Sequence, residues 1–254
     1  IGLDLGTSNL KGIVIDDAQN ICAEASVSLN INRPNDGWSE QNPHDWIEAA
    51  ENTIALLSKK TKLNLVTAIG LSGQMHGATL LDKNDDVLRP CILWNDTRSF
   101  EEASYLDSQT IFRDLTGNIV FPGFTAPKIS WLRKHEPKIF HQISKVLLPK
   151  DYLRFWLSGE YVAEMSDAAG TSWLDVKKRD WSDALLAATG LDRSHMPRLV
   201  EGSEISGKLK DSLAAKWGMS KGVIIAGGGG DNAASAIGVG VVNAGDAFVS
   251  LGTS

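Results

Sequence analysis

The chain has 254 residues, 43% of them hydrophobic and 22% charged, a mixture that excludes disordered and fibrous classes and suffices for one large domain or two modest ones. Acidic residues outnumber basic ones 31 to 25, a net charge of −6 with no Lys/Arg cluster, which argues against nucleic-acid and anionic-membrane partners. No apolar run approaches the ~20 residues of a membrane-spanning helix, no signal peptide is visible, and two cysteines, Cys22 and Cys91, suit a reducing compartment, so a cytoplasmic protein is expected.

Residues 1–5, 10–15 and 21–29 read as three strands joined by Gly6-Thr7-Ser8 and a turn over 16–20, an antiparallel meander. A helix follows: Asn42 suits the cap, Pro43 the first turn and Asp45 the positive end. Trp46, Ile47, Ala50, Ile54 and Leu57 then recur on one face, with Lys59 and Lys60 in the last turn. A buried strand over 66–71 runs into the loop 72–77, and short strands at 79–81 and 91–94 flank a turn at 83–86. Residues 97–215 read as mostly helical, with helices over 127–135 and 151–157. The pattern closes with a strand at 223–226, a loop at 227–230, a helix over 231–239 and a strand over 247–251. Leu5-Gly6-Thr7-Ser8 recurs as Leu251-Gly252-Thr253-Ser254, each after a strand pattern, which predicts two related halves with the sequence passing into the second near residue 246.

Three constellations carry chemistry. A Gly-Thr-Ser turn after a buried strand offers N–H groups and hydroxyls to a phosphate, and Asp4 adds a carboxylate for a metal ion; the same residues also suit a plain hairpin turn. The run Gly227-Gly228-Gly229-Gly230 before Asp231 joins a strand to a helix N-terminus, a favourable place for an anion. Asp231 could accept a hydroxyl proton there or simply cap the helix, but a cap needs no four-glycine run, whose ordering is costly in chain entropy. Gln74-Met75-His76 with Trp94-Asn95-Asp96 and Arg98 has the make-up of a polyol pocket, directional polar groups beside an apolar wall. The alternative is a core histidine with Asp96 and Arg98 as a surface pair. Neither zinc-ligand spacing, nor a Ser-His-Asp order, nor a Walker loop is present.

These segments, with Trp38-Ser39-Glu40-Gln41, Pro149-Lys150-Asp151-Tyr152-Leu153 and Ser166-Asp167-Ala168-Ala169-Gly170-Thr171, resemble in order those of the FGGY carbohydrate kinases of the sugar-kinase/actin-like superfamily. Within that family the Gln-Met-His-Gly loop is similar to the xylulokinase branch, and the resemblance spans the whole chain as the N-terminal half of such a kinase. It implies an α/β fold with a ribonuclease-H-like core, a mixed sheet and helical insertions. Residues 1–245 would form the sugar-binding and catalytic domain and 246–254 open an ATP-binding one. It implies phosphorylation of D-xylulose to D-xylulose 5-phosphate with ATP and Mg2+, the alternative being another pentulose or polyol such as ribulose or glycerol. A sugar-binding protein without activity and an actin-like ATPase are rival readings on the same fold.

The resemblance assigns roles residue by residue. Asp231 is the general base and touches the sugar; Asp4 lies by the magnesium; Met75, His76 and Gln74 bind substrate; Trp94, Asn95, Asp96 and Arg98 line the pocket; Gly6, Thr7 and Ser8 face the phosphates. Four glycines precede Asp231 where the family pattern leads one to expect two or three. The implied partners are a small sugar and ATP, a homodimer is compatible with the family, and this half alone is expected not to turn over ATP.

Overall fold

In the computed structural model, which describes residues 1–249, β1 (Gly2–Leu5), β2 (Asn9–Ile15) and β3 (Ile21–Ser28) pair antiparallel as the predicted meander. Strict alternation sets the faces: Leu10, Gly12 and Val14 of β2 turn inward while Lys11, Ile13 and Ile15 turn out. On the far side of β1 lies β4 (Ala68–Gly73), parallel to it and two residues later than the sequence suggests. Beyond β4 come β5 (Ile205–Lys208) at the edge and β6 (Ile224–Ala226), parallel to β4 and antiparallel to β5. A seventh strand, β7 (Gly229–Gly230), rejoins β4 past a jog at Gly228, so only part of the expected glycine loop is loop. The sheet is mixed, as expected.

Helix α1 (Pro43–Ser58) starts where the sequence places it, with the Asn42 side chain accepting from the His44 amide at 3.2 Å. It ends at Ser58, so Lys59 and Lys60 follow the helix rather than closing its last turn. Trp46, Ala49, Ala50, Thr53, Ile54 and Leu57 form its buried stripe against β2 and β3. Gly12 is the point of closest approach, since a Cβ there would lie 2.6 Å from the Thr53 methyl and 3.1 Å from Leu57. The long insertion between β4 and β5 builds a second core, in which Ile129 and Leu132 of α2 (Thr125–His135) pack with Phe112, Trp173, Leu185 and Leu186. That region is less helical than expected: short strands pair Thr79–Leu81 with Lys145–Leu147 and Leu174–Asp175 with Asp180–Trp181. α3 (Pro149–Ser158) returns to the first core through Leu153 and Leu157, followed by the single turn α4 (Met165–Ala168), α5 (Asp211–Trp217) and α6 (Asp231–Gly238). Residues 247–249 adopt no strand, and the expected repeat at 251–254 lies outside the described residues. Among the described residues no helix is long and apolar enough to cross a membrane.

A buried ionic chain ties the two cores together. Glu40 pairs with Arg89 and, at 2.7 Å, with Arg98; Arg98 pairs with Asp96 at 2.7 Å, and Arg89 with Glu136 at 2.9 Å. The Arg98 guanidinium lies 3.6 Å over the Trp38 ring, and Asp96 also accepts the Ser39 amide at 2.6 Å. The segment Trp38-Ser39-Glu40-Gln41 thus works as a joint, its two-residue strand Glu40–Gln41 pairing with Cys91–Ile92.

Two stability measurements check this packing. Gly12→Ala should overpack the seam between α1 and β2 and cost about 1–3 kcal/mol, seen as a lower Tm. Arg98→Met leaves Asp96 buried without its cation and Glu40 with Arg89 alone, and should cost about 3–5 kcal/mol in urea unfolding; a loss under about 1 kcal/mol would show the chain of pairs to be dispensable.

Candidate functional site

Parallel pairing is what assembles the site. Asp4 on β1 lies opposite Ser72 on β4, and Ser72 lies opposite Gly229 on β7, so three strands end at one level of the sheet. One residue past β7 comes Asp231, the first residue of α6. Gly230 occupies the cap position without a side-chain bond, so Asp231 is not the plain N-cap that its position also suited. Among the described residues its side chain accepts only the Asn232 amide, at 2.8 Å. Burial lifts its carboxyl above the usual aspartate range, the Asn232 amide pulls the other way, and the charge of nearby Asp4 adds to the rise. Asp4 also borders a largely apolar groove of about 1050 Å³ shared with Ser72, Ser166, Gly229 and Ala233.

Three of the four glycines are explained by what crowds them. A Cβ on Gly227 would strike the Glu201 carbonyl, and one on Gly228, where φ is +75°, would strike the Leu71 carbonyl. At Gly230 the crowding group is a side chain, with Met75 Sδ 2.9 Å from where a Cβ would sit. Two of these glycines therefore admit the protein's own backbone, and one seats Met75 against the residue before Asp231.

Met75 and His76 leave the end of β4 and fold back over the site. His76 has φ +66°, a left-handed conformation that is strained for a non-glycine residue. Helix α2 holds it there: the Thr125 hydroxyl and the Lys128 ammonium donate to the His76 carbonyl at 3.1 and 2.9 Å, and Lys128 also donates to the Gly123 carbonyl. The imidazole stacks on Phe124, with ring centres 4.6 Å apart, and its Nδ1 faces the Gly170 carbonyl at 2.7 Å. A carbonyl partner requires Nδ1–H, which leaves Nε2 as an acceptor. Burial, reinforced by the Lys128 charge, lowers the His76 pKa to about 4, and burial lowers that of Lys128 to about 7. Phe124, Thr125, Lys128 and the close approach of Gly170 are absent from the sequence-based site. Their one trace there is a lysine within the stripe Ala126, Ile129 and Leu132, with no acidic residue at helical spacing.

Several expected site residues stand behind the site rather than in it. Gln74, buried, donates to Gln41 Oε1 at 2.9 Å and accepts from the Thr7 hydroxyl at 3.3 Å. The Thr7 hydroxyl also accepts from Trp94 Nε1 at 2.9 Å, and Gln41 donates to the Thr7 carbonyl at 2.7 Å. Its proton and one of its two lone pairs are thus engaged by the framework. Asp96 and Arg98, buried in the ionic chain, are neither pocket lining nor a surface pair. Trp94 is half-buried, and Asn95 keeps its side-chain oxygen buried without a partner. Among the described residues the amides of Gly6, Thr7 and Ser8 donate to no backbone acceptor, which leaves the N–H groups of this turn open.

The donor set fits a magnesium ion held only in part by protein. Among the described residues no three acidic, histidine or cysteine side chains converge on a point. Asp4 supplies a single carboxylate beside a second charge at Asp231, an arrangement that water and phosphate oxygens would complete.

The family model for the FGGY family of carbohydrate kinases, N-terminal domain, matches residues 1–238. The chain is 52% identical over 255 aligned residues to the xylulose kinase of Escherichia coli (strain K12), covering all of this chain and 52% of that protein. It is 40% identical over 258 residues to the xylulose kinase of Lactococcus lactis, again with 52% of that protein covered. Among solved structures, a xyloylose kinase from Brucella ovis superposes with a TM-score of 0.92 at 59% identity, covering 93% of this chain and 49% of that one. Glycerol kinase from Plasmodium falciparum, at 20% identity and a TM-score of 0.85, shares the fold, covering 94% of this chain and 51% of that one. The chain spans about half the length of the curated relatives it matches. By sequence and fold alike, this chain belongs to the FGGY family of carbohydrate kinases and corresponds to its N-terminal domain.

Proposed function

We propose that this chain is the sugar-binding and base-bearing half of a kinase that phosphorylates D-xylulose to D-xylulose 5-phosphate, with ATP as phosphoryl donor and the second half of the protein holding most of the nucleotide. The observation that carries the reading is Asp231, a partly buried carboxylate at the head of α6, one residue from the glycine that seats Met75 and within the field of Asp4.

The terminal hydroxyl of the sugar lies against Asp231, whose Oδ takes the proton as the hydroxyl oxygen bonds to the γ-phosphorus. The bond from that phosphorus to the β–γ bridging oxygen breaks, and ADP leaves with the electron pair. Burial, with the charge of Asp4 adding to it, makes Asp231 a stronger base than an exposed aspartate. His76 Nε2, neutral and fixed by its Nδ1 bond, accepts from a second sugar hydroxyl, and the Met75 thioether covers the carbon skeleton. Asp4 and the free amides of residues 6–8 face the transferring phosphoryl group. When bound, Mg2+ neutralises charge on the phosphates, and Asp4 is the residue of this chain that would hold it. The supporting residues Gln74, Gln41 and Trp94 keep that turn in register with β4.

Asp231→Asn in the full-length protein should lower kcat for D-xylulose by at least ~100-fold while sugar binding, read by calorimetry, persists. Sugar-dependent ADP release with D-xylulose, but not with D-ribulose, L-ribulose or glycerol, is the expected specificity; turnover with another of these would move the substrate and keep the kinase. A separate check follows from the His76 pKa of about 4. Since the folded-state value lies below that of the unfolded chain, stability is fully present above the unfolded value near pH 6.5 and is lost as pH falls toward 4. The imidazole resonances of His76 should accordingly remain those of the neutral ring at about pH 5.5, and a protonated ring there would contradict the buried geometry.

A further inference from the structure

Gly230, the residue before Asp231, donates its amide to the Ser166 hydroxyl at 3.1 Å. A serine hydroxyl has one proton, and Ser166 gives its own to the Glu164 carboxylate, whose two oxygens lie 2.8 and 3.0 Å away. The oxygen facing Gly230 is therefore an acceptor whose direction is set. Glu164 is fixed in turn. It is buried, accepts the amides of Ser166 and Asp167 at 2.7 and 2.9 Å, and lies 3.7 Å from the buried ammonium of Lys150. The far end of the glycine run is clamped as well: buried Arg154 donates to the Ala226 carbonyl at 2.7 Å and to the Gly227 carbonyl at 2.6 Å. Between these anchors the chain has only glycine, held by the pairing of β7 with β4 and by the Gly228 amide, which donates to the Gly202 carbonyl at 2.8 Å.

We infer that Ser166, oriented by Glu164, is a positioning residue that fixes the Gly230 amide and thereby the direction in which Asp231 presents its carboxylate. The inference rests on the reading of Asp231 as proton acceptor. Ser166, on the groove that Asp4 also borders, acts through the amide before Asp231, while Met75 packs against Gly230 through its side chain and His76 is held by α2 and Gly170. Loss of the hydroxyl should thus disturb the aim of the base and leave sugar contacts in place. The effect belongs in kcat and not in KM.

The test uses the full-length protein with D-xylulose and saturating ATP. Ser166→Ala should lower kcat about 10- to 100-fold with KM and Tm nearly unchanged, the loss expected when a reacting group is misaimed by an ångström or so. Ser166→Thr, which restores the hydroxyl, should recover most of that kcat. Amide exchange of the peptide 227–232 should quicken in Ser166→Ala and return to the parent rate in Ser166→Thr, a readout independent of turnover. An unchanged kcat in Ser166→Ala alongside an inactive Asp231→Asn overturns the positioning role alone. A fall in kcat that Ser166→Thr does not rescue, with unaltered exchange, overturns it too. Turnover retained by Asp231→Asn removes the proton-acceptor reading and the positioning inference with it.

Discussion

The alignment of β1, β4 and β7 is the constraint on which everything else in this domain depends. Strand ends are the places where a sheet gives up its ladder bonds, so side chains and amides there are free for a ligand. Because the three strands run parallel and stop at the level of Asp4, Ser72 and Gly229, chemistry from positions 4, 75 and 231 converges on one edge. Moving β7 by one residue would turn its contacts with β4 to the opposite face and carry Asp231 away from Asp4. The jog at Gly228 sets that register, and only glycine fits it, with φ at +75° and the Leu71 carbonyl where a Cβ would be.

Around that edge the protein spends its polar groups on its own framework. Thr7, Gln41, Gln74 and Trp94 form one closed set of bonds behind the first turn, and Asp96, Arg98, Glu40 and Arg89 form another between the two cores. Buried groups of this kind must be satisfied or they cost several kcal/mol each, which is why they come in complete sets. Among the described residues, the groups at this edge include two carboxylates, one imidazole nitrogen, a thioether and the amides of one turn. A site for a polyhydroxylated substrate gains from such economy, since each exposed polar group must meet a hydroxyl or remain hydrated.

The inserted lobe has a mechanical part in this. His76 sits in a strained conformation that the end of β4 alone would not keep, and it is α2, from the second core, that supplies Thr125 and Lys128 to its carbonyl. The lysine's charge also disfavours a proton on the ring it supports. Burial does most to keep the imidazole neutral, and the lysine that holds the His76 carbonyl reinforces it. The two cores are coupled at the substrate edge, beyond the joint made by residues 38–41.

The sequence by itself determined the meander, helix α1 with its cap, the strand feeding Gln74-Met75-His76 and the glycine run before Asp231. These depend on local signals: alternation, helical spacing and turn chemistry within a few residues. It also marked Asp4, Met75, His76 and Asp231 as belonging together, through family motifs in order along the chain. Only the tertiary structure decided which polar residues face the opening. Gln74, Asp96, Arg98 and the Thr7 hydroxyl read as site groups because their types suit the chemistry, yet each finds a protein partner 33 to 67 positions away or in the buried chain around Trp38. Lys128 and Arg154 carry no motif that distinguishes them from ordinary helix residues, and Ser166, although it opens one of the family segments, has no role assigned to it there. Their importance lies in which carbonyl or amide they reach, and that is fixed by how α2, α3 and α4 pack, a matter of long-range contact that residue spacing does not encode.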